Sequence, residues 1–215
     1  MTRGPGGALL ALLIAGCAVP QRPAVVSAPA PVGQRVEAIT AAARRSEREP
    51  DAQVRAELAA DAQREAQACL AVEPRAAGCL YGHALALGLE ARAHPARAGE
   101  SLARMLTDLA DAEAVDPGYD EAGPARVRAL VLVRAPGWPL GPGDPAAGVA
   151  AARRAVSLRP QYPPNLLALA EALARTGETL AAHEAYGRAR EAALARPASS
   201  DREEWLSEAN RALRQ

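Results

Sequence analysis

Three cysteines and three histidines are the side chains of this 215-residue chain best suited to nucleophilic or metal chemistry. His83, His94 and His183 lie far apart in sequence. They do not combine with the cysteines into the close Cys/His spacing of a zinc site. His83 falls on an apolar helical face and reads as a packed, hydrogen-bonded core histidine. Cys69 and Cys79 lie five residues either side of Pro74. A helix–turn–helix hairpin can bring such a pair together as a disulfide; the alternative is two small buried thiols. No serine, threonine or cysteine stands in a recognisable nucleophile–base arrangement. Gly141-Pro142-Gly143-Asp144 lacks the Lys-Ser/Thr of a phosphate-binding loop. Glu113 and Asp116 fall on polar helix faces or caps. The expectation is a protein that is not an enzyme, with no catalytic residues, no metal and no cofactor.

The third cysteine, Cys17, belongs to a different kind of segment. Arg3 precedes an apolar stretch, Ala8 to Ala15, and small residues follow it. A basic start, a short apolar run and small residues before a cut mark an export signal. The run is far short of the roughly 20 residues that span a bilayer. Leu13-Ile14-Ala15-Gly16-Cys17 resembles the bacterial lipobox. That resemblance implies removal of residues 1–16 and a diacylglyceryl group on Cys17, which anchors the chain to a membrane. Ala18, where Asp would favour the inner membrane, implies the outer membrane of a bacterial envelope, facing the periplasm. An oxidising compartment of that kind permits a Cys69–Cys79 disulfide. Residues 17–33 read as the lipidated cysteine and a Pro-rich tether. Such a segment leans to extended polyproline II and reaches up to roughly 50 Å.

Residues 34–215 form the folded domain. Net charge is zero and every basic side chain is arginine. No basic patch suited to nucleic acid emerges. Alanine is the best helix former and arginine a good one, and the chain has no phenylalanine. Apolar residues recur at i, i+3, i+4 and i+7 in 52–72, 77–92, 97–115 and 146–158, and no segment alternates as a strand does. Asp144-Pro145 reads as an N-cap with a first-turn proline. Ser200-x-x-Glu203 reads as a capping box, and Gly177 as a helix stop.

Three helix ends are written alike: Ala68 to Pro74, Asp111 to Pro117 and Arg154 to Pro160. Their prolines are 43 residues apart. After Pro160, Leu166, Leu169, Ala170 and Leu173 line one helix, Gly177 turns the chain, and Ala182, Tyr186 and Ala189 line the next. This unit resembles the tetratricopeptide repeat (TPR), a helix–turn–helix of about 34 residues. The longer spacing is taken up by loops at 134–145 and around Arg92 to Gly99. The expected fold is all-α: a TPR-like α-solenoid of helix pairs 35–47/51–72, 77–92/97–115, 121–135/145–158 and 163–176/179–195. A helix over 201–214, with Trp205, Leu206, Ala209 and Leu213 inward, caps the array.

Two surfaces offer partner contacts. The loop from Arg134 to Pro145 holds four prolines and three glycines around Trp138. Such a loop is stiff and shaped, and its Trp138 either anchors a partner or folds back to plug the preceding helix. TPR-like arrays also bind along the face formed by the first helix of each pair, which projects Tyr81, Leu85, Arg128, Leu167 and Glu171 there. The chain has no lysine, which excludes a carboxylate-clamp chaperone receptor.

A longer stretch, Met105 to Ala189, resembles the lipoproteins that form the T component of tripartite ATP-independent periplasmic (TRAP) transporters. The resemblance rests on Ala112-Glu113-Ala114-Val115-Asp116-Pro117, Ala122-Gly123-Pro124, Arg134-Ala135-Pro136-Gly137-Trp138-Pro139, Gly143-Asp144 and Tyr162-Pro163-Pro164-Asn165. It implies a lipid-anchored periplasmic helical-repeat protein that associates with a solute-binding protein. It also implies homo-oligomerisation as an option, and transfer of a small hydrophobic or organic-acid ligand. The alternatives are an envelope-assembly scaffold, for outer-membrane proteins or pili, and a small-molecule carrier. An apolar channel of Leu and Ala favours a carrier or transporter role; a groove rimmed by Arg and Glu favours a scaffold.

Overall fold

The computed structural model describes Met1 and residues 31–214. The export segment, Cys17 and the tether as far as residue 30 lie outside the described residues. Among those described there are nine α-helices: α1 (Val32–Arg48), α2 (Ala52–Val72), α3 (Ala77–Ala93), α4 (Ala98–Val115), α5 (Tyr119–Arg134), α6 (Pro145–Leu158), α7 (Pro163–Arg175), α8 (Thr179–Leu194) and α9 (Ser200–Ala212). A short 3-10 turn, Pro95–Arg97, precedes α4. Each helix packs on the next in sequence, and the first members of successive pairs also touch. The arrangement is repeat-like. The first helix begins at Val32, inside the stretch expected to be tether.

The repeat is visible atom by atom. Glu73, Asp116 and Arg159 end α2, α4 and α6 with nearly the same backbone, φ −131°, −144° and −140°. Each of their N–H groups still donates four residues back, to Cys69, Ala112 and Ala155. The proline that follows disfavours helical backbone in the residue before it and so stops the helix. Cys69, Ala112 and Ala155 are all buried, as are Cys79, Ala122 and Asn165 at the starts of the next helices. Both triplets carry the 43-residue spacing. Thus one structural position is a disulfide in the first unit, two alanines in the second, and Ala155 with Asn165 in the third. Cys69 and Cys79 are bonded, with Cα atoms 5.3 Å apart.

Small residues set the helix spacing. Ala59, Ala62, Ala66 and Ala86 join α2 to α3; Ala129, Val133, Val149 and Ala152 join α5 to α6. At Gly148 an added methyl group would collide with Val133, so α5 and α6 approach closely there. Gly177 (φ 82°) ends α7 as expected. The Glu178 N–H donates to the Leu173 carbonyl at 2.9 Å and the Gly177 N–H to Ala174 at 3.2 Å, the bonds that satisfy a helix terminus. Asp144 caps α6 by accepting from the Ala147 N–H. The cap of α9 is Ser199 rather than Ser200: Ser199 has the extended backbone of a cap, and its hydroxyl accepts from the Arg202 N–H. Residue 202 is arginine, so the reciprocal half of a capping box is missing.

The second correction concerns α5. Asp120, Glu121 and Ala122 have φ of 47°, 55° and 65°, so a left-handed turn interrupts the expected helix and regular winding starts at Gly123. This conformation costs an L-residue roughly 1–2 kcal/mol each, and a polar cluster anchored by buried Tyr81 and Asn165 holds it. Pro124 then sits in the first regular turn, where its missing N–H is harmless.

No helix among the described residues is long and apolar enough to cross a membrane. The disulfide points to an oxidising, extracytoplasmic environment. Closing its short loop removes unfolded-state entropy worth roughly 2–3 kcal/mol. Reducing the protein, or replacing both cysteines by alanine, is expected to lower the urea midpoint by a corresponding amount with helicity retained at 25 °C. An unchanged midpoint would contradict that staple role.

Candidate functional site

The first helices of the pairs run parallel. Tyr81 of α3 bonds Asp120 near the start of α5, and Arg126 of α5 bonds Asn165 near the start of α7. At the other ends, Arg134 of α5 bonds Glu171 of α7 and Arg92 of α3 reaches the Glu47 carbonyl of α1. The chain therefore enters the domain at one edge, at Val32. The loop 135–144 leaves α5 at the opposite edge. A helix of 17 residues, the length of α1, puts those edges about 25 Å apart.

That loop is closed at its neck. The Asp144 N–H donates to Leu132 O and the Gly143 N–H to Pro136 O, both at 2.9 Å. Inside it, Leu140 and Gly141 both donate to Gly137 O. With these backbone groups satisfied, the loop presents two large apolar side chains. Trp138 is 91% exposed and Leu140 77%. Trp138 does not fold back as a plug. No charged residue stands between Arg134 and Asp144. The result is a stiff, uncharged knob with an indole at its tip.

The other expected contact residues are occupied within the chain. Tyr81 is buried, and its hydroxyl donates to Asp120 Oδ2 at 2.7 Å. Burial pushes that hydroxyl far above its ordinary pKa, so it stays a neutral donor. As a direct partner contact Tyr81 is corrected to a support of the left-handed turn. Arg128 bonds Glu113 of α4 at 3.3 Å, and Arg154 of α6 takes the other oxygen. It ties consecutive pairs together instead of facing outward. Leu167 is buried between α7 and its neighbours. Arg134 and Glu171 bond each other through two contacts, Nε to Oε1 at 2.9 Å and a terminal nitrogen to Oε2 at 2.6 Å. Arg175 adds a third bond to Glu171. His83 is buried, with Nδ1 2.7 Å from Asp108 Oδ2.

Sequence reasoning missed the polar cluster at the turn. Arg126 donates to Asp120 Oδ2 and to the carbonyls of Asp120 and Glu121. Asn165, fully buried, accepts from Arg126 and donates to Glu121, Ala155 and Arg159 carbonyls. Arg126 also stacks over Tyr162, which meets Trp205 edge-on at 5.8 Å. The readable signal was Asn165 itself, a polar residue opening a run of leucines and alanines.

A cavity of about 760 Å³ runs along α1. Glu37, Arg44, Arg45, Arg48 and Glu49 line it beside Val36 and Ala41, and Tyr119 contributes from the start of α5. It is a charged trough, unlike the Leu/Ala channel that would suit an apolar cargo.

No family model matches the sequence, and no curated protein emerges as a relative.

Glu171 and Glu208 titrate in opposite senses. Burial raises the pKa of Glu171, but its bonds to Arg134 and Arg175 outweigh this and the pKa falls. Burial raises that of Glu208, and the nearby Glu171 adds to it against Arg134. A depressed carboxyl pKa stabilises the fold above the unfolded pKa, and that contribution is lost as pH falls through the folded value. A raised one destabilises at neutral pH and is relieved by acid. Glu171→Gln is expected to cost about 1 kcal/mol at pH 7, a loss that shrinks as pH falls towards 3. Glu208→Gln is expected to raise the melting temperature slightly at pH 7 and to converge on the parent in acid. Thermal melts across pH check both.

Proposed function

We propose that this protein is a lipid-anchored, periplasm-facing helical scaffold of TPR-like solenoid form that captures a protein partner. On this reading it is an accessory component of a TRAP-type solute transporter, and the partner is its periplasmic solute-binding protein. The observation that carries the reading is the Trp138 knob: rigid, uncharged, exposed, and on the edge opposite the one where the tether enters. A tethered domain that turns this edge away from the membrane offers the indole to soluble partners. Aromatic side chains of this kind dominate binding energy at interfaces. The Arg- and Glu-lined trough favours a scaffold over an apolar carrier. The transporter assignment itself rests on the resemblance between Met105 and Ala189.

The test is a cross-linked pull-down of the lipidated protein from its native envelope, with mass spectrometry. Recovery of a solute-binding protein supports the transporter reading. Recovery of outer-membrane assembly or pilus proteins replaces it with an envelope-assembly scaffold. Trp138→Ala is expected to weaken capture at least tenfold with the melting temperature within a degree or two of the parent, since the side chain is exposed. A sharp fall in melting temperature with capture per folded molecule unchanged would make the loop structural. Cys17→Ala is expected to move the protein from the membrane fraction to the soluble one; persistence on the membrane after a carbonate wash would overturn the anchor.

A further inference from the structure

The first and last helices of the array meet. Arg44 of α1 lies 3.9 Å from Asp201 of α9, and Arg48 lies 3.3 Å from Glu204. The two helices have no backbone approach to match. No apolar cluster among the described residues joins them either. Long side chains alone bridge the gap. The convergence extends further along the same ends: Arg134 of α5 feels the charges of Glu171, Glu208 of α9 and Glu47 of α1.

The charges on the two facing surfaces are complementary. Arg44 and Arg45 stand on one turn of α1 and Arg48 on the next, and Asp201, Glu204 and Glu208 stand on consecutive turns of α9. The pairs are loose and solvent-exposed, with side chains between 47% and 74% accessible. Arg35–Glu65, at 2.7 Å with the arginine 14% exposed, is by contrast a tight bond inside the first pair. Exposed, single-contact pairs are weak and are screened by salt. The same Arg44 and Arg48 line the 760 Å³ trough along α1.

We propose that the α1–α9 ion pairs form an electrostatic clasp, which draws the first and last helices together. With the clasp made, α9 stands across from α1 and the arginines are occupied. With it broken, the terminal helices separate by bending spread over the intervening pairs, and Arg44 and Arg48 are left to solvent. Two such pairs favour the closed form by no more than on the order of tenfold. Ionic strength or a competing charged surface therefore shifts the balance.

The test places spin labels on cysteines introduced at Ala38 and Ser207, exposed positions on α1 and α9 outside the pairs. The native disulfide is kept. Double electron–electron resonance then reads the α1–α9 distance in dilute and in about 1 M salt, where screening shortens to about 3 Å. The expected result is a short, narrow distribution at low salt. In high salt, and in Arg44→Glu/Arg48→Glu at low salt, it lengthens by at least about 5 Å and broadens. Adding Asp201→Arg and Glu204→Arg to that variant, which reverses every pair, restores the short distance. Circular dichroism checks that each variant keeps its helices. An unchanged distance on charge reversal, or a lengthened one that the swap does not restore, would overturn the clasp.

Discussion

The close approach of helices across small buried residues is the constraint on which the rest of the structure depends. Cys69, Ala112 and Ala155 occupy one contact position, and Cys79, Ala122 and Asn165 the position facing it. Larger side chains at either would separate the end of one helix pair from the start of the next. Because the contact recurs every 43 residues, each pair is added to the last in a similar way. The loop and the trough are consequences of that stacking. Extra chain length within the pairs emerges as the 3-10 turn between α3 and α4 and the Trp138 loop between α5 and α6, and a cavity is left along α1.

The three turns solve one problem with different chemistry. A covalent bond joins the first, and Asn165 hydrogen bonds the third. The middle turn has only alanines at these positions, and there the backbone goes left-handed through Asp120, Glu121 and Ala122. Residues from both neighbouring units hold it, Tyr81 from before and Asn165 from after. The strain of the middle unit is thus met by its neighbours through these hydrogen bonds. Tyr119, at the start of the same turn, forms a wall of the trough. The turn therefore connects the interior packing to the surface that faces α1.

Much of the helical layout was legible because its signals are local. Proline after the helix end, Asp144 before Pro145, and Gly177 after α7 each act within a few residues. The periodic apolar faces of α7 and α8 needed only the helical repeat to be read. The loop was legible from its composition, four prolines and three glycines around Trp138, but whether the indole pointed outward or folded back was not, because both are open to a Pro/Gly-rich turn. The site was illegible where the answer depends on which distant side chains meet. Arg134 and Glu171 each read as partner contacts, yet they bond one another across α5 and α7. Tyr81 read as an outward aromatic, but Asp120 can reach it only because of the left-handed turn, which no single residue type announces. Choosing between Ser199 and Ser200 depends on one backbone angle. The meeting of α1 and α9 joins residues more than 150 positions apart, so no local pattern encodes it.

On the proposed reading, the Trp138 edge is where this protein meets another. The most direct measurement puts a photoreactive amino acid at position 138 and, as a control, at the equally exposed Leu180, then irradiates intact envelopes. The expected result is a discrete cross-linked band from position 138, containing a periplasmic protein, and none from position 180. Cross-links from position 138 to lipid alone, or the same band from both positions, would contradict it.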